Sequence, residues 1–240
     1  TIRTAVLQAD WARVPQNSNG RTHGVCVAAD GTVIVFAQCR DGILHYDQQG
    51  RLISRYGGDN WLGAHGLTYR SDREGEFLWL TDENSGLVAK TTLTGEILTE
   101  YKPPDESVSQ TRDGTDSKDR PHFKPTWVAD DPETGTTWVA DGYGSSLIYR
   151  YDSTGRLVGS ISGEESGTRF KCPHGIVVDE KSQLWIADRG NRRIAICNSD
   201  GICVQTMNDR CHSPCGFDLS DGLMGAEGDG GMAPEGLGGV

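Results

Sequence analysis

No run of apolar residues in this 240-residue chain approaches the length of about eighteen that a membrane-crossing helix needs, so no helical span and no membrane partner are expected. The amino terminus does not join basic residues to an apolar stretch, and no intact signal peptide is expected in this numbering. Basic residues are also scarce, 23 Lys and Arg against 34 Asp and Glu, which gives a net charge of −11 and a pI near 4.9. That balance repels a phosphate backbone and excludes nucleic acid as an expected partner. Hydrophobic residues make up only 35% and aromatics 8%, yet the length suffices for a core, either in one domain or spread over small repeats. Seven cysteines (Cys26, Cys39, Cys172, Cys197, Cys203, Cys211 and Cys215) cannot all pair. They read either as small buried apolar side chains or as containing a disulfide such as Cys197 with Cys203 on neighbouring strands. A disulfide would imply an extracellular or periplasmic setting.

What the chain has instead is repetition. Between Cys172 and Val204, short apolar runs at 176–178, 184–187, 194–197 and 202–204 alternate with polar turn clusters. The runs are too short for helices and rich in Val, Ile and Trp, and Asn198-Ser199-Asp200-Gly201 suits a tight reversal. About four antiparallel strands in roughly forty residues is the size of one propeller blade. The pattern restarts at His23-Gly24-Val25, His65-Gly66-Leu67, Thr126-Trp127-Val128, His174-Gly175-Ile176 and, degraded, Cys215-Gly216-Phe217, at intervals of 42, 61, 48 and 41 residues. We therefore expect an all-β propeller with blades at 22–60, 64–103, 124–162, 172–207 and 213–240. A polar insertion at 104–123 reads as a surface loop, and residues 1–21 as a latch strand (4–8) with its loop. Five blade starts are visible, and an incomplete ring with a sixth blade beyond Val240 is the expectation.

The recurrent pattern His-Gly-apolar, then Trp-apolar-Ala-Asp, then Asp-x-x-Gly resembles the NHL repeat over nearly all of residues 22–223. That resemblance implies a β-propeller, usually six-bladed, with the start of each inner strand facing a central channel. Three segments are similar, more narrowly, to the peptidyl-α-hydroxyglycine α-amidating lyases. They are Ala64-His65-Gly66-Leu67, Pro125-Thr126 through Asp141-Gly142-Tyr143-Gly144, and Pro173-His174-Gly175 through Asp188-Arg189-Gly190-Asn191. The resemblance implies that His65 and His174 bind Zn²⁺, that Tyr143 is a base and that Arg189 holds a substrate carboxylate. It also implies that Val25 and Leu67 lend backbone carbonyls to a structural Ca²⁺. Gln38 stands where the family carries a further catalytic arginine, and Arg40, two residues on with the same strand facing, is the candidate to replace it. Gly144 replaces a disulfide cysteine of the family, and the family's third zinc histidine belongs to a final blade without a counterpart here.

Equivalent positions in a ring of blades point at one axis, so His23, His65, His174 and Cys215 are candidates for a single cation site. Zinc needs three or four N or S ligands, and His23 or Cys215 would be the third. The competing reading makes His-Gly a structural strand cap. Arg189 would hold a carboxylate through its fork, or lie on the surface in a consensus turn. Tyr143, beside a cation and an arginine, would lose its proton more easily than its ordinary pKa of about 10 suggests, and so serve as base in splitting a carbinolamide into amide and glyoxylate. Asp82, Asp141 and Asp188 recur at one position and read as acceptors of backbone N–H groups in turns; Trp79, Trp138 and Trp185 read as packing between blades. The expected function is zinc-assisted C–N cleavage of a small peptide by a monomer, and the alternative is a non-catalytic propeller that binds a protein or small ligand. A sugar-lactonase propeller would need channel carboxylates and Asn, against the His-rich starts.

Overall fold

The computed structural model describes residues 10–12, 21–73, 75–101, 103–104, 123–208, 212–218 and 225–228. The latch strand expected at 4–8 and residues 105–122 of the insertion lie outside them. Four antiparallel meanders follow one another along the chain. The first is β1 (Thr22–Val27), β2 (Val33–Ala37), β3 (Ile43–Tyr46) and β4 (Leu52–Tyr56). The second is β5 (Ala64–Asp72), β6 (Gly75–Asp82), β7 (Val88–Thr91) and β8 (Ile97–Tyr101). The third is β9 (Trp127–Asp131), β10 (Thr136–Ala140), β11 (Ile148–Tyr151) and β12 (Leu157–Ile161). The fourth is β13 (Pro173–Val178), β14 (Leu184–Asp188), β15 (Arg193–Cys197) and β16 (Cys203–Met207), followed by the pair β17 (Pro214–Asp218) and β18 (Gly225–Gly228). The inner strands pack in succession, β1 on β5, β5 on β9, β9 on β13 and β13 on β17, as in a wheel of blades. The fold is a β-propeller.

Local chemistry explains why each meander turns where it does. Between the third and fourth strands every full blade makes the same turn, closed by a glycine in the left-handed region: Gly50 (φ 77°), Gly95 (82°), Gly155 (78°) and Gly201 (85°). Such backbone angles cost a residue with a Cβ energy that glycine does not spend. The first residue of each turn holds the return strand by its side chain. Asp47 Oδ1 accepts from Gln49 N and Arg51 N, Asp152 Oδ1 from Thr154 N and Arg156 N, and Asn198 Oδ1 from Asp200 N and Ile202 N, all at 2.9–3.1 Å.

The His-Gly pair has a packing cause too. A Cβ on Gly24 would lie 2.4 Å from Leu67 Cβ, one on Gly66 2.6 Å from the Thr126 carbonyl oxygen, and one on Gly175 2.4 Å from the Cys215 carbonyl oxygen. Glycine thus lets each inner strand press onto the next blade's inner strand, which brings the channel-facing residues together.

The core lies between blades. Phe36, Trp61, Leu67 and Leu80 fill the first interface, Trp79, Tyr101, Val128 and Tyr151 the second, and Trp138, Ile148, Ile176 and Ile186 the third. Trp79 and Trp138 are buried, as expected of packing residues. Trp185 differs: it is only partly covered, and its indole N–H donates to Asp179 Oδ2 within its own blade at 2.9 Å. Cys197 and Cys203 are joined in a disulfide across β15 and β16, where they are directly opposed in register. Cys26, Cys39 and Cys172 are free thiols, and burial pushes Cys26 up to about 12. No helix among the described residues is long and apolar enough to cross a membrane.

Candidate functional site

Three aspartates set the geometry of the channel mouth. Each ends or directly follows the second strand of its blade and binds the segment leading into the inner strand. Asp82 Oδ2 accepts from Gly63 N (2.6 Å), Asp141 Oδ1 from Lys124 N (2.6 Å) and Asp188 Oδ1 from Lys171 N (2.8 Å). The remaining oxygens close the following turn, through Ser85 on Asp82, Ser145 on Asp141, and Asn191 and Arg193 on Asp188. Two residues per blade are thereby held at the axis: the start of the inner strand, and the residue just after the aspartate.

His65 and His174 are buried at inner-strand starts, and their Nδ1 atoms repeat one contact. His65 Nδ1 lies 2.7 Å from the Thr126 carbonyl and His174 Nδ1 2.9 Å from the Cys215 carbonyl, in each case the residue at the same register in the next blade. A carbonyl only accepts, so Nδ1 carries the proton and Nε2 of each neutral ring carries a lone pair. Both Nε2 atoms face the Tyr143 hydroxyl, at 3.3 Å from His65 and 2.9 Å from His174. Arg189 Nη1 donates to the same oxygen over 3.4 Å. One phenol proton therefore serves two nitrogen lone pairs, with the Arg189 guanidinium beside them. His23 stacks on His65 with ring centroids 4.5 Å apart, and His65 meets His174 edge to face at 4.6 Å.

The electrostatics follow from burial and from these neighbours. Desolvation, reinforced by His174 and His23, lowers His65 to about 3, so the ring is neutral in the fold. Desolvation also lowers His23, against the pull of Glu83. Tyr143 is pushed up to about 12 by burial, with Arg189 opposing. The protein's own groups therefore hold the phenol protonated, and the expected ease of proton loss would require a further cation. Burial raises Cys172 as well, although its thiol is hydrogen-bonded to Arg189.

The structure brings together His23, His65, Tyr143, His174 and Arg189. Arg40 stands elsewhere: its guanidinium is largely exposed and paired with Asp59 at 3.5 Å, and its carbonyl accepts from Arg55. Gln38 is the residue of that strand end that reaches inward, with Nε2 3.2 Å from the Ala64 carbonyl. Cys215 offers its carbonyl to His174 while its thiol donates to the Ser213 carbonyl over 3.5 Å. Val25 and Leu67 lie two residues past His23 and His65; the Val25 side chain is 65% exposed and that of Leu67 is buried. Among the described residues no three His, Cys, Asp or Glu side chains form a set able to hold a metal, so a cation here finds two imidazoles. Cys172 and Glu83 were not singled out from the sequence. Glu83 was discoverable, because it follows Asp82 as Arg189 follows Asp188.

The NHL repeat family matches residues 170–197. The chain is 32% identical over 161 residues to a probable peptidyl-alpha-hydroxyglycine alpha-amidating lyase of Caenorhabditis elegans, which covers 63% of this chain and 41% of that protein. It is 26% identical to NHL repeat-containing protein 3 of Homo sapiens, over 81% of this chain and 56% of the relative. The chain thus spans only about two fifths to just over half the length of these relatives. Among solved structures, a streptogramin B lyase superposes with a TM-score of 0.62 at 16% identity, covering 89% of this chain and 63% of that one, which speaks for the fold alone. This chain is a β-propeller with an NHL repeat at residues 170–197, and it resembles the peptidyl-α-hydroxyglycine α-amidating lyases.

Proposed function

We propose that the channel mouth is the active site of a lyase that splits a peptidyl-α-hydroxyglycine into peptide amide and glyoxylate. The observation that carries the reading is the convergence of His65 Nε2, His174 Nε2 and Arg189 Nη1 on the Tyr143 hydroxyl. The Arg189 fork would hold the substrate carboxylate and so direct the carbinol hydroxyl toward Tyr143. With its own proton first given up to solvent, Tyr143 as phenolate would take the hydroxyl proton, the C–N bond would break as the carbonyl of glyoxylate forms, and the same proton would pass to the departing amide nitrogen, restoring the phenolate. The donor chemistry suits zinc in part. Two neutral imidazoles, each fixed in its tautomer by a backbone carbonyl, are the type of ligand and outer support that zinc sites use. His65 and His174 would hold the ion, with further ligands beyond these two. Bound there, zinc supplies positive charge beside the phenol and the substrate hydroxyl, easing the loss of their protons. A structural Ca²⁺ on the carbonyls of Val25 and Leu67, a monomeric state and an extracellular or periplasmic location belong to the same reading, the last supported by the Cys197–Cys203 disulfide.

Purified protein is expected to contain about one Zn²⁺ per chain, lost in His65→Ala and His174→Ala. It should release glyoxylate from an N-acyl peptidyl-α-hydroxyglycine, and Tyr143→Phe should lower that rate by at least ~10²-fold. Glyoxylate release that survives Tyr143→Phe would refute the assignment. The placement of Arg40 against Asp59, with Gln38 inward, favours a second reading, a non-catalytic propeller that binds a protein or small ligand at its mouth. Metal-free protein that releases no glyoxylate would support it.

A further inference from the structure

The residue after the second strand stands at the rim of the channel in each blade, one step from an inner-strand start. Asp82 pairs with Ala64 in an antiparallel register, which sets Glu83 opposite Gly63, one residue before the inner strand starts, and Asp188 pairs with Pro173, which sets Arg189 opposite Cys172. In the first blade Ala37 pairs with Thr22, which sets Gln38 opposite Arg21, whose carbonyl accepts from the Gln38 backbone N–H over 2.9 Å. In the third, Asp141 is followed by Gly142, whose missing side chain leaves that sector to Tyr143. The rim therefore runs amide, carboxylate, gap, guanidinium.

Glu83 and Gln38 act as one unit. Gln38 Nε2 lies 3.5 Å from Glu83 Oε1 and 3.2 Å from the Ala64 carbonyl, and the Glu83 backbone N–H donates to the Gly63 carbonyl over 2.9 Å. The carboxylate is thus anchored at its backbone and steadied at its head, half-buried at the mouth. Its charge reaches the site's centre: both His23 and Tyr143 feel it, and Tyr143 also feels Arg189 with the opposite sign. Arg21 acts on His23 with the opposite sign to Glu83.

We propose that Glu83, steadied by Gln38, is a specificity-determining subsite for a cationic group, so that the mouth takes a substrate with its carboxylate on Arg189 and a positive charge on Glu83. Resting on the lyase reading, this names the substrate class: a peptide whose residue before the terminal glycine unit carries a basic side chain. Opposite charges fixed at two points of one rim also set the direction in which the ligand enters, and they disfavour the ligand with an acidic side chain at that position.

Binding rather than turnover separates this inference from the lyase reading. The probes are N-acetyl-Lys-Gly, N-acetyl-norleucyl-Gly and N-acetyl-Glu-Gly, which keep the terminal carboxylate and lack the reacting hydroxyl, titrated calorimetrically into the whole chain. The lysyl peptide is expected to bind about tenfold more tightly than the norleucyl peptide and the glutamyl peptide more weakly than either, with the gap narrowing as salt is raised. Glu83→Gln should bring the lysyl:norleucyl ratio to about one, and Glu83→Lys should make the glutamyl peptide the preferred ligand, each variant being checked for native melting. Equal affinities in the parent protein, no measurable binding of any probe, or a lysyl preference that persists in both variants would overturn the subsite. A lysyl preference in a protein that releases no glyoxylate would leave the subsite standing and remove the lyase.

Discussion

Replacing Gly66 by alanine tests the packing that draws the site together. The added Cβ would lie 2.6 Å from the Thr126 carbonyl oxygen, 2.8 Å from Trp127 Cα and 2.9 Å from Thr81 Oγ1. Two of these three atoms are backbone of the neighbouring inner strand, so no side chain can swing away to relieve both contacts. Gly66 has no left-handed backbone angle, and the cost is therefore overlap alone. Forcing a methyl into a close-packed backbone interface typically costs ~1–3 kcal/mol. At about 2–4 °C per kcal/mol for a chain of this size, the melting temperature should fall by about 2–12 °C. Gly216→Ala is the matched control: it holds the same place after the start of β17, and a Cβ there meets nothing within 4 Å among the described residues. That variant should melt within about 2 °C of the parent. Calorimetric melting of the two side by side decides the matter. If Gly66→Ala melts no lower than Gly216→Ala, inner strands do not press blade on blade as described.

Two further outcomes follow from buried charge. His65 has a folded-state pKa of about 3 against an ordinary 6.5, so below pH 6.5 the unfolded chain binds a proton that the metal-free folded chain does not. Its contribution is present in full above pH 6.5 and is lost as pH falls toward 3, at up to ~1.4 kcal/mol per pH unit; urea unfolding of chelator-treated protein should lose that part of its acid sensitivity in His65→Gln. Arg193 Nε pairs with Asp188 Oδ2 at 2.6 Å, both side chains nearly fully buried, while Nη2 donates to the Thr168 carbonyl. Arg193→Leu strands a carboxylate and should cost about 3 kcal/mol in urea unfolding, and a loss below about 1 kcal/mol would contradict the pairing.

The blades were legible because their signals are local. Apolar runs of period two, the glycine that closes each outer turn and the aspartate at the end of the second strand in the second, third and fourth blades are all decided within a few residues. Ring symmetry then carried His65, Tyr143, His174 and Arg189 to one axis, and they meet there. Side-chain direction past a strand end was not legible in the same way. Alternation by two holds along a strand, but β2 ends at Ala37, and in the turn that follows the rule gives Arg40 no inward direction; it goes to Asp59 and Gln38 faces in. The state of Tyr143 was out of reach for a similar reason, since burial, which raises its pKa, is a property of the assembled rim and not of its sequence neighbours. Trp185 shares its motif with Trp79 and Trp138, yet the coverage of an indole depends on the neighbouring blade.

Anomalous X-ray scattering at the zinc edge, from crystals of the whole chain grown with Zn²⁺, tests the central claim most directly. A single peak about 2.1 Å from Nε2 of both His65 and His174, with the Tyr143 hydroxyl beside it, is the predicted result. Zinc bound elsewhere only, or the two imidazoles turned apart with no peak between them, would contradict it.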